Sequence, residues 1–138
     1  MDLGLILTGG SARGNVELGV RAEEAGFDAV YACEFFNQQT FPVLGALAQA
    51  TERIRLGTGI ASAFVRSPLT HATAAMDIDE LSQGRMILGL GSGTSRMNEE
   101  WFGICAKGQT DENGHYPVYP RAAYYVLRDI FALDPLES

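Results

Sequence analysis

The stretch FDAVYACEFFNQQTFPVLGALAQATERIRLGTGI, residues 27–60, contains two short apolar runs separated by a helical pattern. The runs, residues 27–33 and 54–60, are nearly continuous in apolar character and rich in residues that favour strands. Continuous hydrophobicity is typical of strands that are covered on both faces of a parallel sheet. The helical stripe between the runs consists of Leu44, Leu47, Ala48 and Thr51. The stretch therefore predicts a β-α-β unit.

Two further apolar runs, residues 3–8 and 86–91, extend this pattern in both directions along the chain. We predict a strand in each, which gives four strands at spacings of roughly 25 to 30 residues with helices between them. Strands connected in this way are parallel and joined by right-handed crossovers. The sequence therefore predicts an α/β fold.

The ends of the other helices carry recognisable signals. We predict that the first helix has its N-cap at Asn15 and stops at Gly26. The third is expected to begin with Ser67 as N-cap and Pro68 in its first position, a site where proline is favoured. A fourth helix is predicted over residues 123–130, so that each strand is followed by a helix.

Glycines lie at the end of the fourth apolar run, but their spacing does not match the dinucleotide-binding motif. Gly89, Gly91 and Gly93 give G-x-G-x-G, and Thr94 stands where G-x-G-x-x-G needs its third glycine. A phosphate-binding G-x-x-x-x-G-K-[ST] sequence does not occur. From the residues alone, a small doubly wound sheet and half of a barrel both remain open.

Composition limits the partners. The chain has 138 residues and a formal net charge of -7, without a Lys/Arg cluster, which argues against nucleic acid because phosphates need a basic face. No apolar run approaches the roughly 18 residues of a membrane span, and the N-terminus lacks signal-peptide features. We therefore expect neither nucleic acid nor membrane as a partner, and a cytoplasmic location.

Cysteine and histidine do not point to a metal. Cys33 and Cys105 lie far apart and form no CxxC pair, so we expect Cys33 to be a small buried hydrophobe. His71 and His115 lack metal-ligand spacing and are expected to be surface or packing residues. The sequence predicts no metal site.

Four segments resemble the N-terminal half of the luciferase-like monooxygenases, a family of flavin- and deazaflavin-dependent oxidoreductases. They are AEEAGFDAVYACE (22–34), TERIRLGTGI (51–60), RSP (66–68) with the helix end DELSQGR (79–85), and MILGLGSG (86–93). The resemblance implies that the chain is the (β/α)4 N-terminal half of a TIM (β/α)8 barrel. It further implies one half-barrel domain over residues 1–138, with an irregular excursion at about 96–120.

Barrel enzymes bind their ligands at the carboxyl ends of the strands. The candidate cofactor-binding residues at these ends are Thr8, Gly59, Ile60, Ala61, Ser62, Ser92 and Gly93. The opening segment, residues 7–28, is most similar to members that use an 8-hydroxy-5-deazaflavin coenzyme, and FMN is the alternative cofactor. Relatives carry a non-prolyl cis peptide at the end of the third strand, and the matching bond joins Gly59 to Ile60.

Glu34 is the predicted catalytic acid or base, because it closes an apolar strand between Cys33 and Phe35. The alternative is a structural carboxylate that caps a backbone N–H or pairs with a cation such as Arg66. Many relatives place a histidine directly after this acidic residue, whereas this chain has Phe35 and Phe36. Histidine-assisted chemistry is therefore not expected.

Three functions follow from the resemblance. The first is deazaflavin-dependent hydride transfer to or from a small organic substrate, and the second is FMN-dependent monooxygenation with molecular oxygen. The third is an inactive fragment or structural half-barrel, because four strands cannot close and would leave unpaired edges. The expected partners are a small-molecule substrate and either a second copy in a homodimer or the remainder of a longer chain.

Overall fold

The computed structural model describes residues 3–104. The strands in this range are β1 (Gly4–Leu7), β2 (Ala29–Ala32), β3 (Arg55–Thr58), β4 (Ala61–Ser62), β5 (Met86–Ile87) and β6 (Leu90–Gly91). The α-helices are α1 (Ala12–Glu24), α2 (Thr40–Ala50) and α3 (Pro68–Ser82), followed by a π-helical turn at Met97–Trp101. The predicted fourth helix, Cys105 and His115 lie outside the described residues.

The chain divides into two compact units. The first comprises the residues up to Ser62 together with Thr73–Gly91, and it contains all the strands named above as well as α1 and α2. The second comprises Ala63–Ala72 and the residues from Ser92 onward, and it contains the π-helical turn. The prediction of one domain over 1–138 with an excursion at 96–120 extends past the described residues and stays a prediction.

Four parallel strands form the main sheet of the first unit, in the order β1-β2-β3-β5. Strands β4 and β6 form a second, two-stranded parallel pair. The prediction of parallel strands is confirmed, and the run 54–60 contains the single strand β3. The prediction of one strand in the run 86–91 is wrong, because pairing is interrupted at residues 88–89 and resumes with a different partner.

Helices cover one face of this sheet. The core joins strand residues such as Leu7, Val30 and Leu56 to buried residues of α2, among them Leu44 and Leu47. The aliphatic stripe predicted for α2 is confirmed, because Leu44, Leu47 and Ala48 are all buried.

The other face of the sheet carries Tyr31, whose ring lies beside two glycines. A Cβ built at Gly4 would lie 3.1 Å from the Tyr31 ring, and one at Gly57 would overlap it. Ile6 on β1, the register partner of Tyr31, is 56% exposed. The glycines on the neighbouring strands therefore provide the space that the aromatic ring occupies.

Helix α1 begins earlier than the sequence predicts. Its N-cap is Ser11, whose side chain accepts a hydrogen bond from the backbone N–H of Gly14, and the prediction of Asn15 is wrong. Asn15 instead lies within the first turns and is buried. The predicted stop at Gly26 is confirmed, because this residue has a positive φ of 82° that glycine adopts without strain.

Helix α3 begins as predicted. Pro68 is its first residue, and Ser67 accepts a hydrogen bond from the backbone N–H of Thr70 at 3.2 Å. This is the N-cap interaction that satisfies one of the free N–H groups of a first turn. The helix ends at Ser82, and a turn follows in which Gln83 and Gly84 have positive φ.

Glu23, near the end of α1, binds the backbone that leads into β3. Its carboxylate accepts hydrogen bonds from the backbone N–H groups of Glu52, Arg53 and Ile54, at 2.7 to 3.2 Å. Burial alone raises the pKa of Glu23, but these backbone bonds and the charge of Arg53 outweigh it and hold the pKa below its ordinary value. The carboxylate therefore ties α1 to the start of β3.

We expect Glu23→Gln to lower the free energy of unfolding by about 1–3 kcal/mol at neutral pH, because charge-assisted acceptors are lost. A carboxylate with a lowered pKa stabilises the fold fully above its unfolded-state pKa of about 4.3. That contribution is lost as the pH falls through the lower folded pKa, so the difference between wild type and variant should shrink in acid. Urea denaturation at pH values from about 3 to about 7, the range in which carboxylates titrate, measures this difference in the free energy of unfolding. Exposed Glu24 provides the matched Glu→Gln control, and an equal loss in both variants would contradict the role of Glu23.

Candidate functional site

The carboxyl ends of β1, β2 and β3 lie at one edge of the parallel sheet, since Leu7, Ala32 and Thr58 are in register. In the first unit, the predicted site residues follow these ends directly. They are Thr8 after β1, Glu34 after β2, and Gly59, Ile60, Ala61 and Ser62 after β3. Thr8 is exposed, whereas Glu34, Ala61 and Ser62 are buried. The fold thus places these predicted residues at the edge where α/β barrels bind ligands.

Cys33 and Glu34 bind the segment that follows β3. The Cys33 thiol donates to the carbonyl oxygen of Gly59 at 2.9 Å, and the Glu34 backbone N–H donates to that of Ile60 at 3.2 Å. The Glu34 carboxylate accepts a hydrogen bond from the backbone N–H of Ser62 at 2.8 Å. The predicted cis peptide between Gly59 and Ile60 is confirmed.

The opposite side of the same segment is bound by Gly89. The Thr58 hydroxyl donates to the Gly89 carbonyl and accepts from the Gly89 N–H, each at 2.7 Å. The Ala61 N–H donates to the same carbonyl at 2.9 Å. Residues 58–62 are therefore held from both neighbouring strands.

Two residues that the sequence analysis missed anchor the loop after β2. The Gln38 side chain donates to the carbonyl of Leu7, and the Thr40 hydroxyl donates to that of Ala32, so the loop is tied to the ends of β1 and β2. Both side chains are buried. The available signal was a run of polar side chains directly after a strand, where free carbonyls need donors.

Phe36 lies in a tight turn within this loop. Phe35 and Gln38 exchange two backbone hydrogen bonds, at 3.0 and 3.2 Å. Phe36 lies between them and is 69% exposed. Phe35, which directly follows Glu34 where the resemblance predicts a histidine, is half-buried.

Ser92 and Gly93, the remaining predicted cofactor-binding residues, belong to the second unit. Both are exposed, and Gly93 has a positive φ of 64°. The Asn98 amide donates to the carbonyl of Ser92 at 3.0 Å. Asn98 is 1% exposed and was not singled out from the sequence.

Cys33 is buried and free, as predicted. Burial raises the pKa of its thiol above the ordinary value of 9.0, so the thiol remains protonated near neutral pH and donates its hydrogen to Gly59. His71 is also buried, which fits packing, one of the two roles predicted for it. Within residues 3–104, no group of three or more His, Cys, Asp or Glu side chains is arranged to hold a metal ion.

None of the helices within residues 3–104 combines the length and apolar character that a membrane span requires.

Parallel strands joined by crossover helices define an α/β protein. The sequence profile of the family described as luciferase-like monooxygenase matches residues 3–117. The chain belongs to this family.

Curated relatives include oxidoreductases, one of them named for coenzyme F420. A Mycobacterium tuberculosis protein, whose name proposes a coenzyme F420-dependent oxidoreductase, is 39% identical over 89 residues, which are 64% of this chain and 26% of that protein. The 5,10-methylenetetrahydromethanopterin reductase of Methanolobus tindarius is 38% identical over 73 residues, which are 52% of this chain and 22% of that protein. The chain therefore spans about a quarter of the length of these relatives.

Solved structures share the fold. The coenzyme F420-dependent tetrahydromethanopterin reductase of Methanopyrus kandleri matches with a TM-score of 0.78 and 26% identity, over 91% of this chain and 39% of that one. The oxygenating constituent of 3,6-diketocamphane monooxygenase from Pseudomonas putida, solved with FMN, matches with a TM-score of 0.76 and 22% identity. That match covers 95% of this chain and 39% of the other. The prediction of an N-terminal half-barrel in this family is confirmed.

Proposed function

We propose that this chain supplies the N-terminal half of a deazaflavin-dependent oxidoreductase, which transfers hydride to or from a small organic substrate. The observation that carries the proposal is the anchored segment 58–62 at the carboxyl edge of the sheet, bound by Cys33 and Glu34 on one side and by Gly89 on the other. The names of the Mycobacterium tuberculosis relative and of the Methanopyrus kandleri reductase, which both include coenzyme F420, support a coenzyme of this type.

The residues on this segment fit a flat, largely apolar ring. Ile60 is 37% exposed, so its side chain offers apolar surface beside backbone that is already hydrogen-bonded. Gly91 leaves room next to it, since a Cβ there would lie 2.9 Å from the end of the Ile60 side chain. When bound, the deazaflavin ring accepts or donates the hydride, while the protein orients it and excludes water.

We assign cofactor contacts in the first unit to Thr8, Gly59, Ile60, Ala61 and Ser62 as part of this proposal. The cofactor-binding role of Ser92 and Gly93 stays a prediction from the sequence. The remaining contacts would come from the rest of a longer chain or from a second copy, because the chain spans only about a quarter of the length of the curated relatives. A cytoplasmic location is part of the same proposal.

Titration of the chain with coenzyme F420 and with FMN, followed by fluorescence quenching, tests the proposal. We expect F420 to bind more tightly than FMN. Ile60→Ser should weaken F420 binding about tenfold, because burial of an aliphatic side chain contributes about 1.5–3 kcal/mol. Leu3→Ser is the matched control, since Leu3 is also an exposed aliphatic residue but precedes β1 at the opposite edge.

Tighter binding of FMN would favour the monooxygenase alternative. An equal effect of Ile60→Ser and Leu3→Ser would remove the segment after β3 from the site. If neither cofactor binds, this chain does not perform the proposed function alone, and the fragment interpretation takes its place.

A further inference from the structure

We infer that Glu34 is a positioning residue, whose carboxylate fixes the segment Gly59–Ser62 through the backbone N–H of Ser62. The consequence of this role, which is the placement of Ile60 against the cofactor, rests on the proposed function. The hydrogen bond itself is a property of the fold. In this role Glu34 does not transfer a proton, and its carboxylate instead fixes the segment before the cofactor binds.

The location of the carboxylate supports this role. Glu34 is 3% exposed, and its Oε2 lies 2.8 Å from the Ser62 nitrogen, which is the short distance of a charge-assisted bond. A buried carboxylate is costly unless it is hydrogen-bonded, so the Ser62 N–H and the carboxylate stabilise each other. A group engaged in this way is poorly placed to exchange protons with a ligand at the exposed edge.

The sequence of contacts along the segment adds to the argument. Residues 33 and 34 contact it at Gly59, Ile60 and Ser62, through one thiol, one backbone N–H and one carboxylate. Of these three contacts, the one made by the carboxylate lies at Ser62, on the far side of the exposed Ile60 in the chain. Without it, Gly59 and Ile60 would keep their bonds to residues 33 and 34, and Ala61 would keep its bond to Gly89.

Amide hydrogen exchange of the whole chain, resolved to single residues by NMR, tests this step without any cofactor. In Glu34→Ala, we expect the Ser62 amide to exchange about tenfold faster or more, as the loss of a hydrogen bond to a charged group predicts. The Ala61 amide, bonded to Gly89, is the internal control and should keep its protection. Glu34→Gln retains an acceptor oxygen and should restore most of the protection of Ser62.

Cofactor titration then separates positioning from chemistry. We expect Glu34→Ala to weaken F420 binding about tenfold and Glu34→Gln to bind within about threefold of wild type, which is less than 1 kcal/mol. Should Glu34→Ala fail to fold, Glu34→Asp replaces it, because its shorter side chain withdraws the oxygens from Ser62 while keeping the charge.

Two outcomes would overturn the inference. One is a Ser62 amide that exchanges equally in wild type and in the alanine or aspartate variant. The other is a Glu34→Gln variant that protects Ser62 but binds F420 as weakly as Glu34→Ala, which would give the charge a direct role. If wild type binds no F420 yet the exchange results hold, the proposed function fails and the positioning of Ser62 stands.

Discussion

Replacing Arg85 by methionine should lower the free energy of unfolding by about 3 kcal/mol or more, because hydrogen bonds from charged donors contribute about 1.5–3 kcal/mol each. The guanidinium of Arg85 uses all five of its N–H groups. It donates to the carbonyls of Ser82, Ile54, Ala48 and Thr51 and to the hydroxyl of Thr51, at 2.7 to 3.1 Å. Ala48 and Thr51 lie at the end of α2, where carbonyls lack helical partners and a cation is favoured. Removing the side chain leaves these carbonyls without their donors.

Urea denaturation followed by circular dichroism measures the effect. Arg85→Lys keeps the charge, but its ammonium has three donors in place of five, so we expect most of the loss to remain. Arg13→Met is the control, because Arg13 is exposed on α1, and a change within about 0.5 kcal/mol is expected there. A lysine variant as stable as wild type would show that charge, and not the geometry of the guanidinium, holds the end of α2.

Gly89→Ala should destabilise the fold by about 3 kcal/mol, the upper range for overpacking. A Cβ at Gly89 would overlap the carbonyl oxygen of Thr58, which belongs to the backbone at the end of β3 and cannot rotate away. The displacement would also break the two bonds between Gly89 and the Thr58 hydroxyl. Because segment 58–62 depends on these contacts, cofactor binding should weaken in any fraction that folds.

Gly45→Ala is the matched control for this substitution. Gly45 lies in α2, and a Cβ built there meets no atom within 4 Å. Alanine should therefore stabilise the chain by about 0.5–1 kcal/mol, as expected for glycine replacement inside a helix. Denaturation midpoints that shift in opposite directions would support the steric argument, whereas two similar shifts would contradict it.

Hydrophobic patterning was sufficient to predict the parallel α/β order. The runs at 3–8 and 27–33 contain β1 and β2, and the Ser67–Pro68 signal marks the start of α3. Two finer predictions were wrong. Both Ser11 and Asn15 are good cap residues, but Ser11 caps α1 and Asn15 is buried within it. The run 86–91 forms two short strands, β5 and β6, where one was predicted. The cis peptide at Gly59-Ile60 was expected only from the family resemblance.

Some residues of the candidate site could be predicted from the sequence, and others could not. Glu34 and Ser62 were selected because they follow strands, and the structure brings them within hydrogen-bond distance. Gln38 was missed, because its role depends on the carbonyl of Leu7, which lies 31 residues away in sequence. Such a contact has no local signal. Glu34 was selected as an acid or base, and its bond to Ser62 gives the alternative structural role its support.

The sequence by itself determined the order of strands and helices, the apolar faces and the family, because these depend on periodicity and on motifs that are local in the chain. Tertiary structure alone decided which carbonyl each buried donor meets. Arg85 at the end of α2, Glu23 on residues 52–54 and Glu34 on Ser62 all connect parts of the chain that lie far apart in sequence. The physical reason is that a buried polar group must find a partner, and packing determines which partner is within reach.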